Sequence, residues 1–279
     1  VSRGGAAAGG RPPHALLLDA LGTLVRLEPP VEPLRRELRE RFGVELSAAE
    51  AGAALRAEIA FYRAHHDDAS DRARLADLRR RAAAALRDAL PATAAARVTS
   101  RGGDPLAVAR QVTSRGGRNP PSLTDALLAA LRFRPFAEVP EVLRAARENG
   151  VRLVVVSNWD ISLHDVLADT GLAPLLDAVV TSAELGSAKP ARAIFERGLT
   201  LAGVEAADAV HVGDSVAHDV AGALAAGIEP LLVVRDGAAP DERPPAGVRT
   251  IATLRPLIAL LGATDAPSTS GAASVSWMG

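Results

Sequence analysis

Several polar residues stand where apolar runs end. Asp19 closes the run from Ala15 to Leu18, Ser157 and Asn158 follow Val151–Val156, and Asp214 follows Ala209–Gly213. Lys189 lies in a loop just before a helix that begins at Pro190. Short apolar runs of this kind read as buried strands. In an open parallel sheet the carboxyl ends of the strands line one crevice, where ligands bind. Two carboxylates, a hydroxyl, an amide and an ammonium therefore converge on one polar site. Singly, each has a plain explanation as a helix cap or a surface charge; four of them in order, on separate strands, do not. Lys189 stands out further, because every other one of the 32 basic residues is Arg. A compact ammonium is wanted there where a planar guanidinium does not fit.

The elements that must position these residues follow from the pattern. His14–Asp19 is the first strand. From Val31 to Leu90 the periodicity is helical, with a capping box at Ser47–Glu50 and a further helix from about Asp71 until Pro91 stops it. Ser122–Asp125 opens another helix in the same way. Beyond Pro135, strands and helices alternate. Strands fall at Val151–Val156, Ala178–Thr181, Ala209–Val212 and Leu231–Val234, with helices from Pro140, Asp160, Pro190 and Ser215. Such alternation indicates an α/β fold: a doubly wound parallel sheet covered on both faces, with an inserted α-helical cap. The expected organisation is a core of 14–27 and 133–261, a cap over 28–132, and unstructured tails at 1–13 and 262–279. Residues 91–121, which carry VTSRGG twice, read as a mobile insertion in the cap.

Composition narrows the chemistry. The chain has 279 residues, of which 48% are hydrophobic, enough for a substantial core. It has no cysteine, which excludes thiol catalysis, disulfides and Cys-ligated zinc. A net charge of -1 argues against nucleic acid as a partner, and the Arg-Gly-Gly triplets have no interleaved aromatics for base stacking. No apolar run approaches a membrane span, so the expectation is a cytoplasmic protein with a small-molecule partner. Neither nucleotide-binding glycine motif is present. Residues 32–118 carry a net charge of +5 and residues 139–261 a net charge of -6; these read first as two ordinary solvated surfaces, and a basic lid over an acidic, metal-holding base would also suit an anionic substrate. His65-His66-Asp67-Asp68 reads as a solvated helix end, since adjacent helix residues do not converge. His211 reads as a satisfied strand residue, and Trp159 as pocket wall or core.

Asp19-Ala-Leu-Gly-Thr-Leu24, Val154-Val-Val-Ser-Asn158, Ala188-Lys189-Pro190 and Gly213-Asp-Ser-Val-Ala-His-Asp219 resemble the four motifs of the haloacid dehalogenase superfamily of hydrolases. The resemblance covers roughly 14–27 and 133–261, with 31–131 in the place of the helical cap. It implies that Asp19 is a nucleophile forming an aspartyl-phosphate, assisted by Lys189. It implies Mg²⁺ held by Asp19, Asp214 and the Leu21 carbonyl. Gly22, Ser157 and Asn158 would contact the phosphate, with Thr23 and Asp219 orienting the groups around them. Leu21 departs from the pattern: most phosphatases of the superfamily have an acid/base Asp there. The resemblance therefore implies a phosphatase of small phosphorylated metabolites that is slow with poor leaving groups. Two alternatives stand beside it, a dehalogenase acting on haloacids, whose branch also lacks that Asp, and a binding protein with little or no activity.

Overall fold

The computed structural model describes residues 12–102, 122–235, 240 and 242–261. Its centre is a six-stranded parallel sheet. In chain order, β1 is Ala15–Leu18, β4 Arg152–Ser157, β5 Ala178–Thr181, β6 Ala209–Gly213, β7 Glu229–Val233 and β8 Arg249–Ile251. They lie in the order β5-β4-β1-β6-β7-β8, so β1 is central. Leu18 pairs with Val155 on one side and Val212 on the other, which brings Asp19, Ser157 and Asp214 to the same edge.

Alternation along β1 sends its residues to two faces. Leu16 and Leu18 pack with Val142, Leu143, Leu163 and Leu257, and Ala15 and Leu17 pack with Ile194, Phe195 and Ala223. Both faces are covered by helices, which explains why these strands are apolar throughout.

The chain leaves this core through β2 (Val25–Leu27) and returns through β3 (Phe133–Pro135), which pair antiparallel. Between them lie α1 (Val31–Phe42), α2 (Ala48–His65), α3 (Arg72–Asp88), α4 (Ala92–Gly102) and α5 (Leu123–Ala130). α1 ends at Gly43 in the left-handed region, φ 66°. α2 starts with the expected capping box of Ser47 and Glu50, and α3 with Asp71 accepting from the Arg74 N–H. These helices share a hydrophobic core that includes Leu34, Leu38, Phe42, Leu86 and Leu127.

α4 corrects the sequence reading of a mobile insertion over 91–121. Its Ala94 and Val98 are buried in this helical core, because the Ala-rich stretch presents apolar side chains four apart on one face. The second VTSRGG copy lies outside the described residues, as do the expected tails apart from residues 12 and 13.

The remaining helices belong to the sheet: α6 (Val139–Glu148), α7 (Leu163–Asp169), α8 (Ser182–Leu185), α9 (Arg192–Ala202), α10 (Ala221–Ala225) and α11 (Pro256–Leu261). The helix expected from Ser215 is a π-helical turn, Val216–Val220, running into α10. Among the described residues, no helix is long and apolar enough to cross a membrane.

Candidate active site

Lys189 is the centre of the site. Its ammonium, 4% exposed as a residue, donates to Asp19 Oδ1 and to Asp219 Oδ1, each at 2.6 Å. Burial alone would lower its pKa, but the charges of the two carboxylates outweigh it and hold the ammonium above its ordinary value. Burial pushes Asp19 up, against the pull of Lys189 and with the repulsion of Asp219. Asp219 goes the other way. Burial would raise it, yet Lys189 and His211 together keep it well below the usual carboxylate range.

Asp219 is held on every side. Its Oδ1 also meets His211 Nε2 at 2.8 Å, and its Oδ2 accepts from the Ser215 N–H at 3.0 Å. Any side chain at Gly213 would put a Cβ 2.1 Å from the Asp219 carboxyl carbon, so glycine is what admits this carboxylate. Asp219 thus lies against the Lys189 ammonium, the group that the sequence reading expected it to orient.

Ser157 Oγ donates to Asp19 Oδ1 at 2.9 Å. Asn158 lies differently from the sequence expectation of a phosphate contact. Its Oδ1 accepts from the Lys189 N–H at 2.6 Å and its Nδ2 donates to the Lys189 carbonyl at 3.0 Å. The amide fixes the lysine's main chain, because the loop before α9 comes back against the end of β4. Gly22 also differs. Its N–H donates to the Val25 carbonyl at 2.8 Å and is not available to a ligand. What Gly22 provides is space: at φ 80°, a Cβ there would lie 1.9 Å from Asp214 Oδ2. Thr23 is fully buried nearby, and its hydroxyl has no described hydrogen-bond partner.

Asp214 completes the set. Carboxylate oxygens of Asp19, Asp214 and Asp219 all lie within 4.8 Å of one another. Desolvation, then the charges of Asp19 and Asp219, push Asp214 up to about 7. Of these causes, carboxylate repulsion is the one that a bound cation would relieve. Both Asp219 oxygens are already engaged, which leaves Asp19 Oδ2 and the Asp214 carboxylate as the open donors. Two hard oxygens beside each other fit Mg²⁺, which binds through one or two carboxylates and keeps several waters. Leu21, expected to contribute its carbonyl, is 42% exposed and follows Asp19 by two residues.

Above this edge, between the sheet and the helical insertion, is a cavity of about 700 Å³. Leu21, Asn158 and Trp159 line it from the core, and Glu58, Tyr62 and Leu127 from the helices. Trp159 serves both expected purposes, since it also packs on Phe133 with ring centroids 5.2 Å apart. The helices are tied to the core by Tyr62 OH donating to Asp160 Oδ2 at 2.8 Å, by the Arg72–Asp165 ion pair, and by Ser182 Oγ donating to Asp67. The His65–Asp68 segment therefore does more than end a helix in solvent, because Asp67 touches the core. Sequence reading missed Glu58, Tyr62 and the hydrogen bond of His211 to Asp219. His211 Nδ1 is buried without a described partner, so that ring is only half satisfied.

Comparison with known proteins agrees with this geometry. The haloacid dehalogenase-like hydrolase family matches residues 13–227. Haloacid dehalogenase-like hydrolase domain-containing protein 3 of Bos taurus is 45% identical over 91 residues, 33% of this chain and 36% of that protein. Ribulose-1,5-bisphosphate 5-phosphatase of Halopiger xanaduensis is 35% identical over 96 residues, 34% of this chain and 40% of that protein. The chain thus matches less than half the length of these curated relatives. The crystal structure of 2-haloacid dehalogenase from Pseudomonas syringae is similar with a TM-score of 0.56 at 23% identity, covering 88% of this chain and 97% of that one; this similarity concerns the fold. With the family matched across most of its length, the chain belongs to the haloacid dehalogenase-like hydrolases.

Proposed function

We propose that this hydrolase is a Mg²⁺-dependent phosphatase of small phosphorylated metabolites, acting through Asp19. The observation that carries the reading is the open Asp214 carboxylate beside Asp19, within reach of the same cation. Asp19 Oδ1 is held by Ser157 and Lys189. A carboxylate oxygen of Asp19 attacks phosphorus, the bond to the ester oxygen breaks, and an aspartyl-phosphate forms that water then hydrolyses. Asp19 and Asp214, with the Leu21 carbonyl, are the groups that would hold Mg²⁺. Bound there, the ion supplies positive charge that lets an anionic phosphate approach an anionic nucleophile. Lys189 supplies a second positive charge, at Asp19 Oδ1. Asn158 positions Lys189 through its backbone.

Leu21 has no proton to give the leaving group, and general acid help is worth roughly 10²- to 10⁴-fold. Turnover is therefore slow for alkyl phosphates and faster for esters whose alcohol leaves as an anion. The same Leu21 favours a second reading, hydrolysis of haloacids, where the leaving halide needs no proton. That reading gives Asp214 no task, so the phosphatase stands first.

The test is phosphate release from p-nitrophenyl phosphate with and without Mg²⁺, with Asp19→Asn as control. Mg²⁺-dependent release that disappears in the folded mutant is the expected result. Release that survives Asp19→Asn overturns the covalent route. A flat trace together with halide release from a haloacid moves the assignment to the dehalogenases.

A further inference from the structure

Glu58 has no part in the chemistry above, yet it is placed as though it had a purpose. The residues that α2 buries are Ala51, Ala54, Leu55 and Glu58, spaced as i, i+3, i+4 and i+7. Three are apolar, and the helical period calls for an apolar fourth. Glu58 is instead a carboxyl, 4% exposed, lining the cavity that Leu21 and Asn158 line from the other side. No hydrogen bond or ion pair joins it to any described residue. Tyr62, one turn on, is engaged by Asp160. Burial pushes the Glu58 carboxyl up to about 7.

A buried polar group without a partner destabilises the protein that carries it. A leucine there would pack better against Leu78 and Leu127, which line the same cavity. The position makes sense if the partner arrives with the substrate. On the phosphatase reading of the site, we infer that Glu58 is a specificity-determining residue. It accepts a hydrogen bond from a hydroxyl on the otherwise apolar body of a phosphate monoester. By area the cavity walls are mostly hydrophobic, and Glu58 is a buried acceptor without a partner among them, so the body is largely apolar with a hydroxyl that reaches Glu58. A hydroxyl suits the carboxyl whether or not it is ionised, whereas an ammonium would need it charged.

The test compares esters on the full chain. Para-hydroxyethylphenyl phosphate and para-propylphenyl phosphate differ by one hydroxyl in place of a methyl group; para-aminoethylphenyl phosphate and a hexose phosphate complete the set. The hydroxyethyl ester should exceed the propyl ester about tenfold or more in kcat/KM, mainly through KM. Glu58→Leu should abolish or invert that preference and raise Tm by a few degrees near pH 8, and Glu58→Gln should keep part of it. The assignment is overturned by a preference that Glu58→Leu leaves unchanged, by a hexose or amino ester preferred to the hydroxyethyl one, or by a lower Tm for Glu58→Leu. If none of the esters gives Asp19-dependent phosphate release, the phosphatase reading has failed, and binding alone then judges Glu58. Para-hydroxyethylphenol should still raise Tm more than para-propylphenol does, and equal shifts in the natural chain and Glu58→Leu overturn the assignment.

Discussion

Two buried acids in this protein are treated in opposite ways by their surroundings. Asp219 has an ammonium, an imidazole and a backbone N–H around it, so its charge is a structural asset. Glu58 has none of these, and water is largely excluded from it. Its carboxyl binds a proton more tightly in the folded chain than in the unfolded one, so its contribution to stability is most favourable below about pH 4 and falls as pH rises toward 7. The shift from 4.5 to about 7 corresponds to about 3 kcal/mol at most. Glu58→Leu should therefore be more stable than the natural chain near pH 8, with the advantage shrinking steadily toward pH 4. Denaturant melts at both pH values measure this. An advantage of the same size at both would mean that packing, and not the charge, sets the stability at this position.

Between strand ends and helix starts, the turn after β1 does the positioning. Gly22 adopts φ 80° and leaves room for Asp214, whose Oδ2 would lie 1.9 Å from any Cβ. Gly22→Ala should cost roughly 1–2 kcal/mol for the left-handed backbone and displace the Asp214 carboxylate. The expected result is a folded mutant whose Tm no longer rises with Mg²⁺, while the natural chain's does; an undiminished Mg²⁺ shift would show that Asp214 is not a ligand. Much of this element scale is legible in the sequence. Asp19, Ser157 and Asp214 could be placed because each follows an apolar strand, and the caps at Ser47, Asp71 and Ser122 gave the helix starts. What was not legible depends on direction and distance. Sequence names Asn158 and Gly22 but does not say that one faces the Lys189 backbone and the other gives its N–H to Val25. α4 was hidden by its Arg, Ser and Thr content, and β8 by its three-residue length. Glu58 looked like one more charge on a long helix, because the cavity it faces exists only once α2 is packed over the sheet. Tyr62 and Asp160 are 98 residues apart, and no local signal joins them.

Across the whole molecule, charge is divided as the chain is folded. In sequence, residues 32–118 carry net +5 and residues 139–261 net -6. Arg63 and Arg79 line the cavity from α2 and α3, and Arg132 lines it from just before β3. On the phosphatase reading, a phosphate dianion approaches a site with three carboxylates, two of which Lys189 offsets directly. Arginines around the cavity would lower the barrier to that approach by attraction over several ångströms. Such attraction is screened by salt, with a Debye length that falls from about 20 Å at 0.02 M to about 7 Å at 0.2 M. For a phosphate ester at saturating Mg²⁺, kcat/KM should therefore fall several-fold over that range, while kcat changes little. Arg132→Glu, at an exposed position outside the packed core, should lower kcat/KM at low salt and flatten its salt dependence. Salt-independent kcat/KM in the natural chain would mean that the two net charges are separate solvated surfaces, and that substrate capture depends on Lys189, the cation and the fit of the ester body in the cavity.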